Sequence, residues 1–276
     1  MKTTVILPAA GVGSRFAVGD RASASKIEFE LAHKPVFLRT IDAFHGRPDV
    51  GQIILAVHPD RLDEFAFRWA DKLTFLGVKL IAGGQAERWE TVKRALEQVG
   101  DDATHIAVHD AARPCPSTKM IDRVFDAAQR LGAVVPGLPM SDTVKRVSDA
   151  EVHPSAADPI DAILGGGASP TADARAIVET IPRRDLYRVQ TPQVFERSLL
   201  IDAYAGLNAD TAAGITDDAS VVELAGLDVY VIEGDPLNLK LTQPADAELL
   251  AAVLRMRQES DAKAAAVKQL FGDDDD

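Results

Sequence analysis

The sequence predicts an α/β protein built on a doubly wound, mostly parallel, Rossmann-like sheet. Three observations carry this expectation. Short β-branched apolar runs alternate with amphipathic segments of helical spacing through the first half of the chain. The connections between them are short. The loops bearing glycine, aspartate and cations all follow strands, on the edge where open α/β sheets place ligands.

Thr3 to Leu7 reads as a short β-branched, apolar strand, as expected for a strand buried in a parallel sheet. It runs into Pro8-Ala9-Ala10-Gly11-Val12-Gly13-Ser14-Arg15. Pro35 to His45 places Val36, Phe37, Ile41 and Phe44 at helical spacing behind a proline. Gln52 to Val57 predicts a second strand, and Asp60 to Leu73 a helix with Leu62, Phe65, Ala66 and Trp69 on one face. Val78 to Ala82 predicts the third strand. Gly83-Gly84-Gln85 follows, then a helix with Val92, Ala95, Leu96 and Val99 on its buried stripe. His105 to His109 predicts the fourth strand, ending in Asp110-Ala111-Ala112-Arg113-Pro114. A helix over Met120 to Leu131 and a strand at Ala133 to Val135 complete the regular part.

Beyond Ser141 the pattern changes. Asp142 to Val147 alternates like an exposed strand, whereas residues 148–182 are rich in Ala, Asp, Pro and Gly and show no period. That stretch reads as a long, partly flexible excursion. Order resumes over Leu186 to Phe195. Helices are expected around Leu199 to Leu207 and Asp217 to Ala225, with a strand at Val229 to Ile232. A cation-bearing loop, Asp235 to Thr242, precedes a closing helix from Pro244 to about Gln258. The expected organisation is one domain over residues 1–262 with an enlarged arm at about 143–190. Residues 263–276 are expected to form an acidic, disordered tail.

Composition narrows the classes of function. The 276 residues, 46% hydrophobic and 26% charged, suffice for one large α/β core. A net charge of −12 argues against nucleic acid or an anionic membrane surface as partner. No apolar run approaches the ~18 residues of a membrane span. A strand beginning at Thr3 leaves no room for a secretory leader, and the single Cys115 has no intrachain disulfide partner. Both lead to the expectation of a cytoplasmic protein. In so acidic a chain, cations in glycine-rich loops stand out.

The first loop is Gly11-Val12-Gly13-Ser14-Arg15. Glycines let the backbone turn sharply and line an anion-binding concavity, and Arg15 adds a fixed charge with several donors. An ordinary tight turn after a strand fits the glycines equally well. Lys26 ends a small, polar, flap-like segment, and is either a second cation over that turn or a solvated surface lysine. Arg88 and Thr91 fall in the first turn of a helix, where free N–H groups favour anions, although Thr91 could equally bond its own backbone. Asp110 ends a strand and could hold Mg²⁺ with phosphate oxygens, or pair with Arg113 as a turn aspartate.

These segments together resemble a known family. Ala9-Ala10-Gly11-Val12-Gly13-Ser14-Arg15, Gly83-Gly84 with Glu87-Arg88, and His109-Asp110-Ala111-Ala112-Arg113-Pro114 look like the 2-C-methyl-D-erythritol 4-phosphate cytidylyltransferases of isoprenoid synthesis. Asp142-Thr143-Val144-Lys145, Thr191-Pro192-Gln193, Thr216-Asp217-Asp218-Ala219-Ser220 and Asn238-Leu239-Lys240-Leu241-Thr242 continue the resemblance in the same order. Any one motif is weak; seven in order are specific.

The resemblance implies transfer of CMP from CTP to a polyol phosphate, with Mg²⁺ as cofactor, in a nucleotidyltransferase-type fold with a protruding β-arm. It implies that Arg15 and Lys26 hold the triphosphate and stabilise charge at the α-phosphorus. It implies that Ala9, Ala10, Gly11 and Gly13 line the nucleotide and that Gly83, Gly84 and Thr91 read the cytosine. Asp110 would bind Mg²⁺, with Arg113 on the same nucleotide edge. Thr143, Arg183 and Lys240 would grip the acceptor, with Thr191 and Thr216 nearby, and Arg184 is the rival to Arg183. The arm implies a homodimer. The chain departs from the family at Ser25-Lys26-Ile27, where Pro-Lys-Gln is usual, at Thr91, where serine is usual, in a longer glycine loop at Gln85-Ala86, and in its longer arm.

Two alternatives stay open: a cytidylyltransferase for another polyol phosphate such as ribitol 5-phosphate, and a regulatory relative that binds CTP without catalysis. A dehydrogenase fits poorly, because Phe16 stands where the third fingerprint glycine belongs and no acidic residue ends the second strand.

Overall fold

The computed structural model describes residues 1–11, 26–152, 174–208, 210–212 and 214–271. The chain divides into two units, Met1–Leu138 with Val189–Asp276, and Pro139–Arg188.

The larger unit is organised on β1 (Thr3–Ala9), which lies parallel between β4 (Val50–Val57) and β6 (His105–Val108). Flanked on both sides, β1 buries consecutive side chains rather than alternate ones. β5 (Val78–Ala82) extends the parallel set beyond β4. A short antiparallel pair, β2 (Glu30–Leu31) and β3 (Lys34–Pro35), precedes α1. α1 (Val36–Asp42), α2 (Leu62–Phe75) and α4 (Thr118–Leu131) share one core cluster with Val5 and Leu7. α3 (Arg88–Leu96) buries Val92 and Ala95 in a second cluster with Ile6. Alternate residues of β1 therefore feed the two faces, which is the physical content of a doubly wound sheet.

The sheet order does not follow the chain order. β7 (Ala133–Pro139) does not lie beside β6. β11 (Gln193–Glu196) enters between them, antiparallel to both, with Val194 opposite Ala107 and Val134. α5 (Arg197–Ala205) and α6 (Asp218–Leu224) then pack on the α3 face through Leu200, Tyr204 and Val222. β12 (Tyr230–Glu233) runs parallel to β7.

The closing α7 (Asp246–Phe271) is longer than its apolar stripe suggested. It continues well past Gln258 and takes in residues 263–271, so the tail boundary expected at 263 is corrected. The added turns are rich in Ala, Lys and Gln, whose high helix propensity carries the helix on where the apolar pattern ends. The expected tail residues 272–276 lie outside the described residues.

In the smaller unit, β8 (Val144–Val152) and β9 (Ala174–Ile181) form an antiparallel pair with Lys145 opposite Thr180 and Arg146 opposite Glu179. Part of the stretch expected to be aperiodic is thus strand. Both faces of β9 are exposed, so the inside–outside alternation that marks a half-buried strand is missing. The Arg183 guanidinium donates to the Ser141 carbonyl, and Met140 N–H donates to the Leu186 carbonyl at 2.8 Å. β10 (Tyr187–Val189) spans the boundary between the units.

Candidate active site

A cleft of about 260 Å³ opens on the larger unit at the C-terminal ends of β1, β5 and β6. Pro8, Ala9, Ala10 and Gly11 line it from the end of β1, and a Cβ at Gly11 would meet nothing within 4 Å. Gly84 and Thr91 form another wall. A Cβ on Gly84 would collide with Glu90 Cβ, and one on Gly83 would fall 2.8 Å from Thr91 Cγ2 and 3.0 Å from Ala10 Cβ. Only glycine lets this turn approach the helix and β1 so closely.

The first turn of α3 is already capped. Glu87 and Glu90 make a capping box, and Glu90 accepts from the N–H groups of Ala86 at 3.0 Å and Glu87 at 3.3 Å. These backbone bonds lower the Glu90 carboxyl below its ordinary value, that to Ala86 most. The carboxylates of Glu87 and Glu90 thus engage the N–H groups of Ala86, Glu87 and Glu90 at this helix start. Thr91 is buried and lines the cleft, and its hydroxyl accepts from Gly84 N–H at 3.0 Å.

Asp110 is the centre of the site. Its side chain is 12% exposed and meets Lys240 Nζ at 2.8 Å, Arg113 Nε at 3.3 Å and Arg88 Nε at 3.8 Å. Burial opposes its charge, but Lys240, Arg88 and Arg113 outweigh burial and hold the carboxyl well below the usual carboxylate range. Arg88 in turn donates to the fully buried Asp218 at 2.7 Å, which also accepts from Tyr204 Oη at 2.7 Å. Burial works against the Arg88 charge too; Asp218 and Asp110 more than offset it and raise its pKa.

The backbone that carries Asp110 is fixed by His109, which is fully buried. His109 Nε2 faces the Arg113 carbonyl at 3.0 Å, so that nitrogen carries the proton. Nδ1 then accepts from the Thr191 hydroxyl at 3.1 Å, and Thr191 Oγ1 accepts from Asp110 N–H at 3.1 Å. The loop carrying Lys240 is stitched to the same turn. Arg113 Nη1 donates to the Asn238 carbonyl at 2.8 Å, Leu241 N–H to the Ala112 carbonyl at 2.8 Å, and Asn238 Nδ2 to the Thr191 carbonyl at 2.8 Å.

The structure brings Ala9, Ala10, Gly11, Lys26, Gly84, Thr91, Asp110 and Lys240 together around the cleft, with Gly83 packed behind. Gly13 and Arg15 lie outside the described residues. Arg113 does not line the cleft; it braces Asp110 and the Asn238 carbonyl. Thr191 is buried and its hydroxyl is committed to His109 and Asp110, which corrects the expectation of acceptor contact. Thr216 is exposed on the larger unit, just before Asp217, whose carboxylate caps α6. Thr143 and Arg183 are exposed on the smaller unit. The sequence expectation gave Arg88 no role, although a cation one turn from two glycines was a visible signal. Its buried partner Asp218 was visible only as part of a motif.

This geometry accompanies consistent similarities to known proteins. The family model described as 2-C-methyl-D-erythritol 4-phosphate cytidylyltransferase matches residues 3–158 and 167–256. The chain belongs to that family. A relative of that description from Acidobacterium capsulatum is 39% identical over 266 residues, covering 93% of this chain and 99% of its own length. One from Solibacter usitatus is 35% identical over 263 residues, covering 92% and 96%. The crystal structure of the family enzyme from Thermus thermophilus superposes with a TM-score of 0.63 at 30% identity, covering 91% of this chain and 98% of that one. The nucleotidyltransferase fold expected from the motifs is thereby established.

The His109 lock predicts a pH dependence of stability. Burial, first of all, pushes its imidazole from 6.5 down to about 4. The unfolded chain therefore binds the proton first as pH falls, so stability is complete above about 6.5 and is lost toward 4. The gap corresponds to about 3 kcal/mol. Urea unfolding of wild type and His109→Asn across this range should show the steeper loss in wild type, and parallel curves would contradict the lock.

Proposed function

We propose that this protein transfers the cytidylyl group of CTP to 2-C-methyl-D-erythritol 4-phosphate and releases pyrophosphate. The observation that carries this is the convergence of Arg88 and Lys240 on the Asp110 carboxylate, with Lys26 lining the same glycine-rich cleft, in a chain of this family. In the reaction an acceptor phosphate oxygen attacks the α-phosphorus, a P–O bond forms, and the bond to the β-phosphate bridging oxygen breaks with pyrophosphate leaving. The attacking oxygen is already anionic at neutral pH, so no general base or covalent intermediate is needed. The obstacle is repulsion between two anions, and fixed cations address it.

Lys26, with Arg15, would hold the triphosphate and the charge that develops on it. Gly11 and Gly13, with Ala9 and Ala10, would offer backbone to the nucleotide, and Gly83, Gly84 and Thr91 would face the base. Lys240 and Thr216 would grip the acceptor. Thr191 and Arg113 position Asp110 rather than touch substrate.

Mg²⁺ fits this donor set in one way only. Among the described residues no three His, Cys, Asp or Glu side chains converge on a metal position. One carboxylate with substrate phosphates is an ordinary Mg²⁺ arrangement, and Asp110 would be the protein's ligand. When bound, the ion would supply charge neutralisation on the phosphates. The protein's own cations must then leave Asp110 for the incoming phosphates.

The proposed organisation is a homodimer through β8 and β9, supported by the exposure of Ile177 and Val178 at 62% each. A cytoplasmic location suits these substrates, and no helix among the described residues is long and apolar enough to cross a membrane.

Pyrophosphate release from CTP and Mg²⁺, with methylerythritol 4-phosphate and ribitol 5-phosphate in parallel, tests the reading. Preference for the first is expected, and Lys26→Ala should reduce turnover on the order of 10²–10³-fold. Preference for ribitol 5-phosphate would overturn the acceptor, and CTP binding without turnover would favour a regulatory relative. Light scattering should give a dimer mass; a monomer would contradict the arm's role.

A further inference from the structure

Lys26 opens a single 3₁₀ turn, Lys26–Glu28. Such a turn has three residues per revolution, so its side chains leave about 120° apart. Lys26 lines the cleft, Ile27 is buried in the main core, and Glu28 faces α2. Phe29 N–H reaches the Lys26 carbonyl at 3.3 Å, and Val36 N–H donates to the Phe29 carbonyl at 3.1 Å.

Glu28 ties the turn to α2. Its side chain is only 7% exposed and accepts from Arg61 Nη2 at 3.0 Å, Arg68 Nη2 at 3.2 Å and Trp69 Nε1 at 3.0 Å, with Arg68 Nη1 paired to it at 2.9 Å. Two of these donors belong to α2 and Arg61 immediately precedes it. The helix is itself anchored, with Phe65 and Leu73 buried and the Trp69 ring edge-on to Phe37 at 5.2 Å. A carboxylate buried this far holds its place only if its oxygens are satisfied, and here both are engaged.

We infer that Glu28 is a positioning residue for Lys26, clamping the turn to α2 so that the ammonium is held at the cleft. This rests on the proposed reading of Lys26 as a cation acting on the transferring phosphoryl group. Misplacement of such a group by about 1 Å can cost 10²-fold in rate, so a clamp several bonds away affects turnover.

The test is a double-mutant comparison of wild type, Glu28→Gln, Lys26→Ala and the combined variant, measuring kcat and the KM for CTP by pyrophosphate release. Glu28→Gln should lower kcat by about 10-fold, with little change in KM, and should add no further loss in the Lys26→Ala background. Equal losses in both backgrounds would show that Glu28 acts on the fold alone, and would overturn the inference. Full activity of Glu28→Gln beside an impaired Lys26→Ala would overturn the inference and leave the role of Lys26 standing. An unimpaired Lys26→Ala would overturn both. If Glu28→Gln does not fold, Arg68→Gln removes the more exposed side of the clamp and carries the same comparison, with a smaller expected loss.

Discussion

The Asp110 carboxylate and the cations that converge on it constrain the rest of this molecule. A single carboxylate at the end of β6 meets Lys240, Arg113 and Arg88, which arrive from three separate segments of the chain. Arg113 lies on the Asp110 turn itself, whereas Lys240 and Arg88 must each be delivered by another scaffold. Asn238 and Leu241 tie the Lys240 loop to the Asp110 turn, His109 and Thr191 fix the turn's backbone, and Asp218 holds the far side of Arg88. Breaking a buried pair of the Arg88–Asp218 kind by removing one partner is far costlier than never having built it. The network is therefore strict about its members.

Cations gather locally against the charge of the whole. The chain carries a net charge of −12, yet Lys26, Arg88 and Lys240 line one cleft beside Asp110 and Glu87. Low-dielectric walls strengthen such a field near the site, while the acidic remainder disfavours non-specific polyanions. On the proposed reading, Asp110 holds these cations in place until phosphates replace it.

Much of this was legible in the sequence because the relevant signals are local. The run Thr3 to Leu7, the glycines at 83 and 84 and the aspartate at the end of β6 each declare a strand, a close approach or a strand-end ligand. The pairing of Arg88 with Asp218 was not legible, because an ion pair across 130 positions leaves no periodic trace. Thr191 looked like a binding hydroxyl, and only the tertiary fold shows His109 and Asp110 consuming it. The insertion of β11 between β6 and β7 was hidden for the same reason, since pattern reveals strands and not their neighbours. Glu28 carries no sequence signal beside the more conspicuous Lys26, because its three partners lie more than thirty positions away.

The most direct measurement is calorimetric titration of CTP into wild type and Asp110→Asn, each with and without Mg²⁺. The account predicts that Mg²⁺ strengthens CTP binding to the wild type and that this gain disappears in Asp110→Asn. Equal enhancement by Mg²⁺ in both proteins would contradict the central place given to Asp110.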